Sequence, residues 1–446
     1  MSVLDGLSAL GGPSWLQARR NAAADLFATA SMPTAESELW RYSRIDDLDL
    51  NRYKPVLEKP QATAASIPPE MQPILDALDD AAGVVVIRDG WITYVLLDEN
   101  LASKGVKFGR LTDQGAADQD DTDQDVATAL GTIAVSTPDS AIAALHDALT
   151  IDPLLISVPD GVVVEAPFVV LNQLSVDRGL SCPHLLVQAG VNSQMKLLVH
   201  HESSDIDALV IPVVEIDCGT GSNVSYLESQ LLGPRTWQIG RQASSVGRDA
   251  TLNSAMVALG GDYARSRISS TLSGQGATAT MLAVYFGEDG QMHDVRTTQD
   301  HMAPKTTSNL LFKGAVQGKA RSVYSGLVHI GKEGQGVNAS QTNRNITLSH
   351  GAWAESVPTL EIENNDVRCS HASAVGPIDE EQRFYLESRG VPPQMAERLI
   401  VLGFFDEVLE RLPISGVVER LRAEVVAKLD RRDPSDQLST SQGVSQ

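Results

Sequence analysis

The sequence predicts a mainly β chain with helical ends, and three observations predict it. From about Ile151, segments such as PHLLVQAG, LVIPVVEIDCG, YARSRISSTLSG and TATMLAVYFG follow one another, each β-branched or alternating and each closing near Gly, Asn, Asp or Ser. Turn signals recur roughly every 10–14 residues, the spacing of short strands in a sandwich, a barrel or a solenoid. Second, apolar residues before Ile151 and after Gly376 recur at helical rather than alternating spacing. Third, this β texture persists over residues 151–376 without a break. A single sandwich core of that length would be expected to split, whereas stacked coils extend indefinitely. No motif repeats strictly, so sandwich, barrel and solenoid all stay open on these grounds.

The elements follow in order. In Ser14–Ala30, Trp15, Leu16, Ala23 and Phe27 lie near helical spacing, and Pro33 ends the segment. ESELWRYSRIDDL follows, with Trp40 and Tyr42 expected to pack in the core against that helix. Glu58–Glu70 is a Pro/Ala-rich linker. Gly83–Leu97 reads as a small β element turned at Arg88-Asp89-Gly90, a hairpin signal. The acidic run from Asp113 to Asp125 lacks the sixth-position Gly and the closing Glu of a calcium loop and reads as a solvated loop. Ser136–Leu149 returns to helix, with Ala141, Ala144, Leu145 and Leu149 on one side.

After the β region, Asp379 with Gln382 resembles a capping box, and Gly390 is a C-cap signal. Pro392-Pro393 opens a further helix that Gly403 should close, and FFDEVLERL and VVERLRAEVVAKL continue the helical texture. A bundle of this kind could cap the open end of a solenoid. The expected organisation is a helical or mixed domain over 1–150, the β core over 151–376, a helical domain over 377–430 and a polar, disordered tail over 431–446.

Composition narrows the function. The net charge of −22 argues against nucleic acid and anionic membrane surfaces and suits a soluble cytoplasmic protein. No apolar run approaches the ~20 residues of a membrane span. MSVLDGLSALGGPSW lacks a basic n-region, so it does not read as a signal peptide. Cys182, Cys218 and Cys369 are odd in number and widely spaced, which implies no disulfide framework.

One pattern carries candidate chemistry. Val367–Val375 follows the polar turn Glu363-Asn364-Asn365-Asp366 and reads as a strand. Within Arg368-Cys369-Ser370-His371, Cys369 and His371 stand two apart and so face one side. A thiolate and an imidazole so placed could share an iron or zinc ion, with further ligands from elsewhere. The plainer reading is a buried thiol and a hydrogen-bonded imidazole. Other patterns fail. Gly326–Lys332 matches most of a P-loop, but Glu333 replaces its hydroxyl residue and no helix follows, so no ATP site is expected. Gly219-Thr220-Gly221 is too short for a dinucleotide fingerprint. His200 and His201 are adjacent and would face opposite sides of a strand. His293 and His301 would share a side only on a continuous strand, and His301-Met302-Ala303-Pro304 reads as a turn.

SVPTLEIENNDVRCSHASAVG, FYLESRG and GFF resemble the C-terminal signature of the SufB/SufD family, subunits of the bacterial SUF iron–sulfur cluster assembly complex with the ATPase SufC. The resemblance continues through DVRTTQDHMAPKTTSNLLFKGAVQGKARSVYSGLVHI, SQTNRNITLS and ESELWRYSRIDDL. Asn343 stands where the SufB scaffold type carries a Cys, and Ala372 where it carries a Glu, so the chain resembles the SufD type. The resemblance implies a right-handed parallel β-helix core. It implies a non-catalytic SufBCD subunit that pairs with a SufB-like homologue and carries a SufC-like ATPase. Cys369 and His371 would hold a nascent iron–sulfur cluster transiently at the SufB interface, and Phe384, Tyr385, Arg389, Gly403 and Phe404 would serve partner binding. Reduced flavin on the assembled complex is a further family expectation. A SufB-like scaffold and a β-helix carbohydrate enzyme are the alternatives.

Overall fold

The computed structural model describes residues 3–60, 67–113, 129–133 and 140–431. The acidic run beyond Asp113, residues 61–66 of the Pro/Ala linker, the first residues of the Ser136–Leu149 segment and the tail from residue 432 lie outside the described residues. Among the described residues no helix is long and apolar enough to cross a membrane.

The core is a parallel β-solenoid of about eight coils, each contributing two principal strands. In chain order these are β1 Leu154–Val158, β2 Phe168–Leu174, β3 His184–Ala189, β4 Gln194–Ser203, β5 Val213–Cys218, β6 Asn223–Leu231, β7 Trp237–Val246 and β8 Thr251–Ala258. They continue as β9 Tyr263–Leu272, β10 Thr278–Gly287, β11 Met292–His301, β12 Thr307–Val316, β13 Arg321–Ile330, β14 Val337–Thr347, β15 Trp353–Ile362 and β16 Val367–Gly376. Odd strands stack in parallel in one sheet and even strands in the other, with Tyr263 opposite Met292, Met292 opposite Arg321 and Thr278 opposite Thr307. This is the solenoid among the three β architectures left open by the strand pattern.

The alternation seen in sequence becomes an inner and an outer face. The first coils fill the lumen with apolar side chains, among them Val187, Leu197, Ile216, Val224 and Leu252. Later coils line it with Tyr285, Tyr324, Gln341 and Asn343, all buried. Their polar atoms pair inside: Asn343 Nδ2 donates to Tyr285 Oη at 2.8 Å, and Asn345 Nδ2 donates to Asn343 Oδ1 at 2.7 Å.

The outer faces carry the two terminal regions. Helix α1 (Ser14–Thr29) packs on a helix over Ser140–Leu149, whose Ile142, Leu145 and Leu149 join Ile211, Ile239 and Met292 outside the odd sheet. At the other flank, α2 (Glu380–Ser388), α3 (Pro393–Leu409) and α4 (Val418–Asp430) form the C-terminal bundle. Val401, Phe405 and Leu421 bury against Val257, Val284 and Ala315 of the even sheet, and Phe405 meets Phe286 at 5.9 Å between centroids. Lys428, pushed down to about 8 by burial, donates to the Leu259 carbonyl at 2.6 Å and to Gln291 Oε1 at 2.9 Å. The bundle therefore lies along the side of the solenoid and does not cap its last coil. The apolar stripe of α3 is matched by the sheet's outer face, so burial there outweighs an end-on position.

Gly403 does not close its helix: α3 runs on to Leu409. A lone helical Gly costs about 1 kcal/mol, less than the burial of Phe405, Val408 and Leu409 beyond it returns. The N-terminal end of the solenoid is closed. Gly83–Arg88 adds to β2 in parallel and turns back antiparallel through Trp91–Leu97, while Lys107–Arg110 lies antiparallel on β1. Asp89 and Gly90, at φ 49° and 92°, make the left-handed turn expected of that dipeptide.

Candidate functional site at the open coil

The last coil is β15 and β16, and each ends its sheet. Among the described residues no strand covers the outer edge of either. Both are ten residues long, so two long rows of backbone N–H and C=O groups face outward at the end of the solenoid. The sequence explains part of this. The polar turn Glu363–Asp366 ends β15, with Asn364 Oδ1 accepting from Asp366 N at 2.9 Å, and Val367 restarts the chain as β16.

Parallel register then fixes where the candidate residues sit. Cys369 lies beside Ala339, His371 beside Gln341 and Ser373 beside Asn343. Ala339, Gln341 and Asn343 are buried in the lumen, so Cys369, His371 and Ser373 continue its inner face into the terminal coil. Ser373 Oγ donates to Ser356 Oγ on β15 at 2.7 Å, bridging the two sheets. Cys369 is half-buried against Val328, Val337 and Leu360, and His371 is exposed. The structure thus brings Cys369 and His371 to one face at the mouth of the lumen, as the spacing of two predicts. Burial pushes the Cys369 thiol up, favouring its protonated form in the isolated chain. Asn343 sits one coil deeper, closed off by its bonds to Tyr285 and Asn345.

Val357, Ile362 and Val375 are exposed on the same two strands. Sequence reading passed over them, although alternating apolar residues in a stretch already strand-like are the signal for a two-sided edge. Tyr42 also differs from expectation. It sits at φ 68°, exposed, with its ring 5.9 Å from Trp353 of β15, while Trp40 alone is buried. Trp40 lies under the Arg265 guanidinium at 3.8 Å, and Arg265 pairs with the buried Asp294. Burial alone would raise the Asp294 carboxyl, but Arg265 and Arg296 hold it below the usual range.

The other sequence candidates separate cleanly. Phe384 is 73% exposed and Tyr385 58%, both on α2, a helix with no buried residue, and Arg389 lies 5.4 Å over the Tyr385 ring. Asp379 caps this helix by accepting from Glu381 N and Gln382 N. Gly403 is exposed. Phe404 instead turns toward the solenoid, where Lys313 Nζ stands 4.5 Å from its ring and donates to its carbonyl at 2.7 Å. His293 and His301 do share a continuous strand, β11, and both are buried, but eight positions separate them along it, too far to share an ion. His301 bonds Thr306 Oγ1 at 2.7 Å and Ser308 Oγ at 2.8 Å, locking the turn after β11. His200 and His201 go separate ways, to Ser229 and Glu202 and to Asn172. Gly326 to Ile330 lie within β13, not in a phosphate loop.

A laterally sheathed β-solenoid with one uncovered end and a Cys-x-His pair at its mouth defines the class of the chain. Residues 171–404 match the family model described as SUF system FeS cluster assembly, SufBD core domain, and residues 10–170 match the SufBD protein N-terminal region. The chain belongs to the SufBD family of the SUF iron–sulfur cluster assembly system. It is similar to the iron–sulfur cluster assembly protein SufD of Bacillus subtilis, 26% identical over 422 residues, 94% of each chain. An iron–sulfur cluster assembly SufBD family protein of Mycobacterium tuberculosis is 40% identical over 204 residues, 44% of this chain and 51% of that protein. A counterpart from Mycobacterium leprae is 42% identical over 192 residues, 41% and 49% of the two chains. The chain thus spans about half the length of these mycobacterial relatives.

Proposed function

We propose that this chain is the SufD-type, non-catalytic subunit of an iron–sulfur cluster assembly complex. Its open coil pairs with the corresponding coil of a SufB-like homologue, and the nascent cluster is cargo held transiently between them. The observation that carries the reading is the uncovered last coil with Cys369 and His371 on its inner face. Two long strand edges with exposed Val357, Ile362 and Val375 are a surface for strand-to-strand addition. A facing chain would supply the ligands that two residues cannot, and a bound iron would displace the Cys369 proton, since thiolate is the ligating form.

The second contact is α2. A helix with no buried residue, bearing Phe384 and Tyr385 outward, presents the apolar face that a SufC-like ATPase would cover. Movement of that ATPase would act on the solenoid through α3, which Lys313 ties to β12. The SufD likeness over nearly the whole chain supports this reading, as does a buried Asn343 in place of a second thiol. Reduced flavin belongs to the same proposal only as a ligand of the assembled complex.

The test is co-expression with the homologous SufB-like and SufC-like proteins, followed by mass measurement and anaerobic cluster formation. A complex with one copy of this chain and one of the SufB-like partner is expected. His371→Ala should preserve that complex and its melting temperature while abolishing cluster formation. Undiminished cluster yield in that variant would remove His371 from the site, and a chain that stays alone would refute the pairing.

A further inference from the structure

A second cluster of ligating side chains lies far from the open coil, where the helix over Ser140–Leu149 meets the odd sheet. His146 comes from that helix, His184 from β3 and Glu215 from β5. All three are buried. Their hydrogen bonds account for every ring proton. His146 Nδ1 lies 2.8 Å from the Ile211 carbonyl, which can only accept, so this nitrogen carries the proton. His184 Nε2 lies 2.7 Å from Glu215 Oε1. That carboxylate accepts a backbone N–H on each oxygen, from Gly131 at 2.5 Å and from Ile133 at 2.8 Å, so His184 Nε2 is the donor.

Two neutral imidazoles have then used their only protons. Their remaining nitrogens, His146 Nε2 and His184 Nδ1, face each other at 3.1 Å. Thr150 Oγ1 stands 3.2 Å from His146 Nε2, but its hydroxyl donates to the His146 carbonyl at 2.8 Å. Two ring lone pairs then face each other across this gap, a contact that an electrophile between them would relieve. Such an electrophile is either an extra proton or a metal ion.

We propose that His146, Asp147 and His184 form a binding site for a first-row divalent transition metal, distinct from the Cys369–His371 pair. Three observations fit a metal there. The gap of 3.1 Å matches the edge between two nitrogens on one ion, about 3.3 Å for tetrahedral and about 2.9 Å for octahedral geometry at metal–nitrogen bonds of ~2.05 Å. The far nitrogens donate to a carboxylate and a backbone carbonyl, the outer-shell pattern that orients metal-bound histidines. A third ligand is at hand, because His146, Asp147 and His184 each offer a ligand atom and these atoms lie within 4.8 Å of one another. Asp147 is held at 2.8 Å by Arg19 and would turn inward on binding. The cluster borders a cavity of about 410 Å³ between the helices and the sheet, which leaves room for water or a small anion at an open position. Two imidazoles and one carboxylate suit Zn²⁺ or Fe²⁺ and disfavour Ca²⁺ or Mg²⁺, which prefer all-oxygen shells.

The experiment uses the untagged full-length protein in a Cys369→Ser/His371→Ala background, so that the open coil contributes nothing. Co²⁺ is titrated and read by visible absorption, and Zn²⁺ by calorimetry. One equivalent of each should bind. Asp147→Asn should weaken binding at least tenfold, His184→Gln should abolish it, and Glu215→Gln should cost 10- to 100-fold through the outer shell. Mg²⁺ should not compete. Absence of stoichiometric binding, or binding unchanged in Asp147→Asn, would overturn the site and leave a proton shared between the two histidines. Asp147 is half-exposed, so its variant decides the matter even if His184→Gln fails to fold.

Discussion

Asp294→Asn tests how the N-terminal segment is tied to the solenoid. The Asp294 side chain is fully buried on β11 and compensates Arg265, itself 3% exposed, and Arg296, 12% exposed. Tyr263 Oη donates to it at 2.8 Å. Arg265 reaches on to the Leu39 carbonyl at 2.6 Å and Arg296 to the Arg41 carbonyl at 2.6 Å, so both guanidinium groups clamp the segment around Trp40. The amide keeps the shape but removes the charge, and stripping one partner from a buried ion pair costs about 3–5 kcal/mol. The asparagine still accepts one hydrogen bond, which points to the lower end, ~3 kcal/mol. At roughly 2 °C per kcal/mol for a chain of this size, the melting temperature should fall by about 6 °C. Trypsin should also cut faster after Arg41 and Arg44 as the clamp loosens. Arg265→Met combined with Asp294→Asn should cost less than the two single changes together, since the more deeply buried guanidinium is removed along with its carboxylate. A loss under ~1 kcal/mol, with unchanged cleavage at Arg41, would refute the view that this charge cluster holds the segment.

Three further outcomes are expected. Gly314→Ala places a Cβ 2.1 Å from Tyr285 Cε2 and 2.3 Å from Asn345 Oδ1, so it should lose about 1–3 kcal/mol or more in thermal melts, and an unperturbed melt would show the lumen to be slack. Burial lowers His293 to about 3 and His301 to about 4, against ~6.5 in the unfolded chain. Between pH 6.5 and 4 the unfolded state alone takes up these protons, so stability falls with pH by up to ~1.4 kcal/mol per unit per histidine. His301→Gln should flatten that slope in melts from pH 7 to 5, and an identical slope would exclude the assignment. Phe384→Asp should leave stability within ~0.5 kcal/mol, because the ring is solvent-exposed, while removing ATPase capture in a pull-down. Retained capture would place the docking face elsewhere.

What was legible in the sequence is what local chemistry decides. The Asp89-Gly90 turn, the Asp379 cap, the Pro392-Pro393 helix start and the alternating coils each follow from a few neighbouring residues. The same-face placement of Cys369 and His371 also needs only the strand period. What failed depends on partners distant in the chain. Gly403 is a stop signal until the sheet offers Phe405 and Leu409 a place to bury. An end cap was one reading of the bundle because nothing local says which surface its apolar stripe meets. His301 looked like part of a turn, yet β11 carries through it because Thr306 and Ser308 satisfy its ring. His146, His184 and Glu215 come from a helix and two coils, and no spacing rule joins them.

The asymmetry of the two ends bears on how such a solenoid can assemble. An exposed strand edge is ordinarily a hazard, because identical edges can add one after another. A solenoid open at both ends could stack head to tail without limit, which is the geometry of a fibre. Here the first coil is sealed by Gly83–Leu97 and by Lys107–Arg110, whose antiparallel direction breaks the parallel register that a further coil would need. Under the proposed pairing, a parallel partner coil would then add only at β15 and β16. An interface restricted to one end closes after a single partner is added, whether that partner is a homologue or a second copy. Under the proposed pairing, Cys369 would lie inside the seam, where a second chain could complete its coordination and exclude water. Reopening the sealed end makes this testable. Deleting residues 83–97 exposes the edge of β2, and light scattering should then report open-ended polymers in place of a discrete pair. Discrete particles from that deletion would show that the hairpin is not what limits assembly.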